Sequence, residues 1–464
     1  MLDVWPTLPV LFRYSCGYPR ENVDNVIAVL TRSDRVRLID ILGIQTWHLK
    51  KLSAAMQEPF PELRSLKLCA MGGGIVPVLP DSFLGGSAPR LQNLKLNSIP
   101  FPGLPKLLLS ATQLVDLYIY NIPHSGYFSP EAMATALSML TSLRYLLLCF
   151  QSSQFRPDQG SRPPQMRFVL PVLTSMRFTG ASEYLDDLVA RIDAPSLTRL
   201  GITFSNQITF NTSHFNRFIS HIPSLAEMDS ASFIFDQIGT VVKFSGGRAG
   251  RGEMDIVVQY GELDHQLSSL VHVCAASLPP ISSLEWLYID NCSYPVLDWQ
   301  DTIENMQWLG LLRPFASVKN LFLSEEFASF ISPALQEELI EGRTTDILPT
   351  LQEIFLPAEP YEGIEQFVAA RQATSHPIAV SPWALAKFHW EEVREDDSND
   401  DDSDDDSDDD SDDDSDDDSD DDSDDDSDDD SDDNSDDNSD DNSDDSDNSD
   451  DNSDNSDDDN SDND

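Results

Sequence analysis

Of 464 residues, 83 are Asp or Glu and 29 are Lys or Arg, leaving a net charge of −54. An anionic excess of this size argues against direct binding to nucleic acid or anionic lipid, where phosphates must be neutralised by cationic side chains. The excess is local: residues 395–464 contain only Ser, Asp and Asn after one opening Glu and hold 44 of the acids, so the preceding body is only mildly acidic.

The segment 395–464 has no apolar side chain to offset the ~1–2 kcal/mol per residue that ordering a backbone costs, and its like charges repel. It reads as a disordered acidic tail behind a folded body at 1–394. Five cysteines, Cys16, Cys69, Cys149, Cys274 and Cys292, are odd in number and form no CxxC pair, which suggests neither a disulfide framework nor a zinc module. The N-terminus, Met1-Leu2-Asp3-Val4-Trp5-Pro6, carries an acid in place of a basic leader, and no apolar run approaches the ~20 residues of a bilayer span. A soluble intracellular protein, cytoplasmic or nuclear, is expected.

Along the body one pattern recurs, L-x-x-L-x-L. After a weak copy at Val36/Ile39/Ile41, its anchors are Leu63/Leu66/Leu68, Leu91/Leu94/Leu96, Leu114/Leu117/Ile119, Leu143/Leu146/Leu148, Leu173/Met176/Phe178 and Leu197/Leu200/Ile202. A second weak copy lies around Leu225/Met228, and after a gap of 59 residues, read as holding one degraded copy, the pattern returns at Leu284/Leu287/Ile289, Val318/Leu321/Leu323 and Leu351/Ile354/Leu356. The last two anchors of each copy are two apart and point to one side of a short strand, while the residues between point to the other. Helices are expected between the strands. Ser129 and Pro130 form an N-cap and first-turn pair ahead of 132–140, and further helical patterns cover 183–192, 214–222, 263–276, 333–340 and 364–372. Strand, helix, strand in succession predicts an α/β fold, an irregular leucine-rich-repeat solenoid with parallel strands on its concave side and helices on its convex side. The copy at Leu284 also has the Cys292 of the fuller repeat consensus, whereas Met71, Ile99, Ile122 and Ala181 stand at that ninth position elsewhere, so the usual turn ladder is expected to be lost. Residues 156–171, rich in Pro, and 245–252, SGGRAGRG, read as inserted loops.

No catalytic constellation emerges, and a non-enzyme without cofactor or metal is expected. SGGRAGRG lacks the GK[ST] ending of a phosphate loop. His265 and His272 are too widely spaced for an i, i+4 metal pair, and the Asp runs of the tail lack the turn Gly and final Glu of a calcium loop. Binding residues are better defined. The side chains flanking the second and third anchors are Ser65, Lys67, Asn93, Lys95, Asp116, Tyr118, Tyr120, Tyr145, Arg177, Arg199, Trp286, Tyr288, Phe322 and Phe355. Tyr118, Tyr120, Tyr145, Arg177, Arg199, Trp286, Tyr288 and Phe322 are the main candidates for protein binding, since Tyr, Trp and Arg dominate interface hot spots. The alternative is that the aromatics pair across strands and stabilise the sheet. In the tail, Ser followed by Asp suits acidophilic kinases; simple repeat expansion explains the same units.

The segments MQEPFPELRSLKL, LPDSFLGGSAPRLQNLKL, PFPGLPKLLLSATQLVDL, IPHSGYFSPEAMATALSMLTSL, EYLDDLVARIDAPSL and GIEQFVAARQATSHPIAV, spread over 2–382, resemble the fungal (basidiomycete) family of F-box proteins with degenerate leucine-rich repeats. That resemblance implies a repeat domain that receives a substrate, and an F-box that docks on the small adaptor of a cullin-RING ubiquitin ligase, the SCF complex. The chain starts within repeat-like sequence, and Pro59-Phe60-Pro61-Glu62-Leu63 leads into a repeat strand, so the F-box is expected to be missing here. The expected function is a non-enzymatic protein–protein interaction module resembling the substrate-recognition region of such a ligase subunit. The alternative is an acidic-tailed scaffold or chaperone that engages basic proteins such as histones through the tail. If the tail is unfolded, truncation after Arg394 leaves the melting temperature and circular dichroism of the body unchanged; a large loss of either would show the tail to be folded or docked.

Overall fold

A strand with anchors two residues apart can bury only one face, so each copy of the repeat needs a neighbour to extend the sheet and a helix to cover it. The computed structural model describes residues 8–15, 23–71, 76–151, 167–205, 207, 213–226, 228–236, 239–246, 252–259, 263–275, 278–291, 304–340, 346–357, 359–373 and 377–383. All of them belong to the first of two units into which the chain divides, Met1–Glu391 and Glu392–Asp464. The acidic tail and Cys292 lie outside the described residues.

The strands are β1 (Val10–Ser15), β2 (Val36–Ile44), β3 (Ser65–Ala70), β4 (Asn93–Asn97), β5 (Asp116–Ile122), β6 (Tyr145–Phe150), β7 (Phe168–Val169), β8 (Ser175–Thr179), β9 (Ile192–Asp193) and β10 (Arg199–Ser205). They continue as β11 (Ser230–Asp236), β12 (Gly239–Ser245), β13 (Glu253–Gln259), β14 (Trp286–Asn291), β15 (Asn320–Leu323), β16 (Glu353–Leu356) and β17 (Ala379–Pro382). Fifteen of them form one sheet in the order β1-β2-β3-β4-β5-β6-β8-β10-β13-β12-β11-β14-β15-β16-β17, while β7 and β9 pair separately. Every pairing in the large sheet is parallel except β11 with β12 and β12 with β13. The result is a mixed α/β structure built on a large, mostly parallel sheet.

The second anchors run straight across this sheet, Ile39 beside Leu66, Leu94, Leu117, Leu146, Met176 and Leu200, and Leu287 beside Leu321 and Ile354. None of the anchors in these copies is more than 2 % exposed. The helices are α1 (Val23–Leu30), α2 (Thr46–Ala55), α3 (Leu104–Leu108), α4 (Pro130–Leu137), α5 (Ser182–Val189), α6 (Ser213–Ser220), α7 (Pro223–Ala226), α8 (Leu263–Ala275), α9 (Asn305–Leu312), α10 (Glu325–Ile340) and α11 (Glu362–Gln372). Their apolar sides join the anchors in one continuous core. Ile99, Ile122 and Ala181, which replace the ninth-position Asn or Cys, are buried and fill the turn with apolar volume; Met71 at the same position is exposed.

Local chemistry explains several boundaries. Ser129 Oγ accepts the amide N–H of Ala132 at 3.2 Å, capping α4 as expected. The N-terminus of α6 is capped from a neighbouring helix: Asp186 of α5 accepts the amides of His214 and Phe215 at 2.8 and 2.9 Å. Buried Arg371 on α11 donates to the carbonyls of Leu348 and Pro349, holding the turn in which Leu348 takes a φ of 46°.

The structure corrects the sequence reading in four places. The helix expected to open at Pro333 begins at Glu325 and runs through the proline. Phe327, Ala328, Ile331, Ala334 and Leu335 form one buried stripe across it, so packing outweighs the lost backbone bond. At this point α11 presses Gly363 onto α10, where a Cβ would collide with the Ser332 carbonyl. Second, Ile192 leaves α5 and pairs with Phe168 in the small sheet. Residues 168–169, read as part of the Pro-rich loop, are therefore strand, and Arg167 closes the site by an ion pair to Asp193 at 2.8 Å; residues 156–166 lie outside the described residues. Third, the copy placed at Leu225/Met228 is shifted by three, because Ala231 and Phe233 align with Leu287 and Ile289.

The fourth correction is the largest. The gap of 59 residues holds a three-stranded meander, β11-β12-β13, instead of one degraded copy, and the chain lays it down in reverse order between β10 and β14. Ser245 at the end of β12 pairs with Glu253 at the start of β13, and residues 247–251 of SGGRAGRG lie outside the described residues.

Replacing Leu146 or Leu287 with Ala should cost ~2–5 kcal/mol, since each is fully enclosed between sheet and helices. Exposed Leu109 should tolerate the same change within about 0.5 kcal/mol. Chemical denaturation of the three variants checks the register.

Candidate binding face

The side chains between the anchors project from the other side of the sheet, where alternation along the strands leaves them, apart from Phe322, half-buried or exposed. Two rows cover most of the candidates. One row is Ser65, Asn93, Asp116, Tyr145, Ser175, Arg199 and Glu253, resumed at Trp286, Asn320 and Glu353. The next is Arg13, Asp40, Lys67, Lys95, Tyr118, Leu147, Arg177, Gly201 and Asp255, resumed at Tyr288, Phe322 and Phe355. The strand register thus brings all eight main candidates to one face, in two groups separated by the meander.

In the first group Tyr118 and Tyr120 stack along β5, with ring centroids 6.2 Å apart, and Lys95 Nζ sits 5.3 Å from the centre of the Tyr120 ring. Tyr145, 42 % exposed, stands opposite Asp116. Burial raises the Asp116 carboxyl above its ordinary value, and nearby Arg144 works against the rise. Arg177 lies over Gly201, where a Cβ would come within 3.2 Å of its Cγ. Arg199 meets Glu253 at 3.6 Å, an exposed pair of little energetic weight. Lys67 and Lys95 stand side by side, whereas Tyr118 and Leu147 separate them from Arg177 and Glu253 pairs with Arg199, so the four cations form no continuous stripe.

The second group is an aromatic ladder. Phe322 is held between Phe355 at 4.2 Å and 3° and Tyr288 at 4.4 Å and 18°, with Trp286 stacked at 5.9 Å. Trp383, just beyond β17, meets Phe322 edge to face at 5.7 Å. Phe322 is consequently only 3 % exposed, so it is a packing element of the face and not a contact surface, whereas Trp286 keeps 36 % of its surface. Burial first, and Asp229 second, push the Tyr288 phenol up to about 12.

The face carries rings, carboxylates and cationic groups. Its half-buried thiol, Cys69, is raised by burial even though Lys67 and Lys95 pull it down, the opposite of an activated nucleophile. Cys274 is buried on α8 and pushed up to about 12. His265 and His272 both sit on α8. Among the described residues no group of three His, Cys, Asp or Glu could hold a metal ion, and no helix is long and apolar enough to cross a membrane.

The sequence reading missed Trp383, Asp290 and Glu353 on this face. Trp383 follows a strand without the L-x-x-L-x-L pattern, and the two acids fall at positions passed over in favour of aromatic and basic types. Compared with known proteins, no family model matches the chain and no curated protein matches it.

In an alkaline titration followed at 295 nm, Tyr288→Phe should remove a phenol that ionises near pH 12 and leave the population near the ordinary ~10 intact. Because the folded state favours the neutral phenol, its contribution to stability is full below pH ~10 and is lost as the pH rises toward 12. The variant should therefore unfold less steeply over that window.

Proposed function

We propose that the body is a non-enzymatic protein-binding module, an irregular leucine-rich-repeat solenoid whose open strand face receives a partner. In this reading it does the work of the substrate-recognition region of an F-box ubiquitin-ligase subunit, as the sequence resemblance implies. One observation carries the proposal. Tyr145 and Trp286, with Tyr118, Tyr120 and Tyr288 beside them, sit in shared rows on a face opposite the buried anchors, where large apolar rings left partly in water find their use in association. Cross-strand stacking accounts for Phe322 and Phe355 but leaves the exposure of Trp286 and Tyr145 unexplained.

The test is site-directed photocrosslinking in extract of the source cells, with the photoreactive residue at Tyr145, at Tyr288, or at Glu131 on α4. Discrete adducts from the first two positions and none from the helix position are expected. Adducts from all three alike would overturn the open-face assignment. Co-purification of the cullin adaptor with the full chain supports the ligase connection; its absence from adduct-bearing complexes removes that connection.

A further inference from the structure

The two groups on the open face differ in charge. Residues 1–205 carry 19 Lys and Arg against 15 Asp and Glu, while residues 206–394 carry 10 against 24. The sheet follows this division: strands β14 to β17 contain no Lys or Arg at all. Lys319, next to β15, is held by Glu285 at 2.6 Å.

Around the aromatic ladder the acids have defined places. Asp290 is exposed and follows Trp286 and Tyr288 on the same side of β14, two residues on each time. Glu353 stands in the Trp286 row, separated from it by Asn320, and accepts a hydrogen bond from Ser381 Oγ. The partly exposed indole thus has one carboxylate four residues along its strand and another two strands across the sheet. The ring face attracts a cation through its quadrupole, and the carboxylates add charge-assisted hydrogen bonds. An ammonium can use the charge alone, whereas a planar guanidinium can also stack on the ring and bond a carboxylate in bidentate fashion.

Resting on the reading of this face as a protein-binding surface, we propose that Trp286, Tyr288, Asp290 and Glu353 form a docking site for an arginine-bearing segment of a partner protein. The partner is cationic because the β14–β17 end of the face repels acidic segments. It carries arginine in preference to lysine because ring stacking and carboxylate pairing are available together. The acidic tail also attracts cations through its carboxylates, but it has no aromatic ring, so a dependence of the Arg preference on Trp286 separates the two sources of binding.

The experiment uses the full chain and three fluorescein-labelled peptides of equal length, bearing four Arg, four Lys or four Glu, titrated by fluorescence anisotropy at physiological salt. The expected order is Arg tighter than Lys by several-fold, with the Glu peptide not bound. Trp286→Ala should weaken the Arg peptide about tenfold and abolish its advantage over Lys, and the pair Asp290→Asn with Glu353→Gln should do the same without touching a ring. Since the tail is identical in every protein, these ratios report the face alone. Equal affinity for Arg and Lys peptides, unchanged in both variants, would assign the binding to the tail and overturn the proposal. If that happens while crosslinks from Tyr145 and Tyr288 persist, the open face still binds protein and only the arginine assignment falls; if both fail, the broader reading fails with it.

Discussion

Everything in the body depends on parallel strands keeping a common register while one face of each is buried. A one-residue slip at any pairing would turn Leu146 or Leu117 to water and bring Leu147 or Tyr118 into the core. The anchors prevent this collectively, because each is enclosed by its neighbours in the row and by the helices behind. The same register lines up the outward side chains. The open face inherits its geometry from the core, so Trp286 opposes Asn320, and Tyr288 opposes Phe322, as a consequence of burying Leu287 beside Leu321.

This dependence explains what could be read in the sequence. The spacing of three and two residues is set by strand geometry and shows directly in the letters, so every copy from Leu63 to Ile202, and from Leu284 to Leu356, lies where its anchors predict. A proline was a poorer guide: Pro333 reads as a helix start, yet burial of Phe327 and Ile331 ahead of it carries α10 through. The meander escaped because its strands follow a period of two without the longer L-x-x-L interval. GTVVKFS and EMDIVVQ alternate on either side of a Gly-rich sequence, a hairpin signal that was legible but lay hidden inside the repeat rhythm. Trp383 was beyond sequence reasoning, since its contact with Phe322 needs β17 to pair with β16.

The meander also matters for the face. Most crossovers between the single parallel strands carry an α-helix, although β3 to β4 has only a short 3-10 turn at Phe83–Gly86, whereas the two antiparallel hairpins add strands with no described helix between them. The return from β13 to β14, which is adjacent to β11, carries α8. Gln266 on α8 binds the hairpin it covers, accepting from Thr240 at 2.6 Å and donating to the Asp236 carbonyl at 3.2 Å. Five strands, β8, β10, β13, β12 and β11, thus separate the aromatic ladder from the tyrosine of β6, and Lys243 beside Asp255 places charge in the interval. Two surfaces of different chemistry therefore share one sheet.

Stacking and exposure then divide the labour within the ladder. A ring enclosed on all sides, as Phe322 is, contributes through burial and ring contacts, and its gain is already spent in the folded chain. A ring at the end of the stack keeps part of its surface in water, and that part stabilises nothing until something covers it. Trp286 is in this position, held in orientation by Phe322 behind it, with Asn320 beside it and Glu353 one strand further on. Pre-setting a rotamer in this way lowers the entropy lost when a partner arrives. The buried members of the ladder thus hold the exposed ring in place, and under the proposed function sheet stabilisation and binding are two uses of one stack.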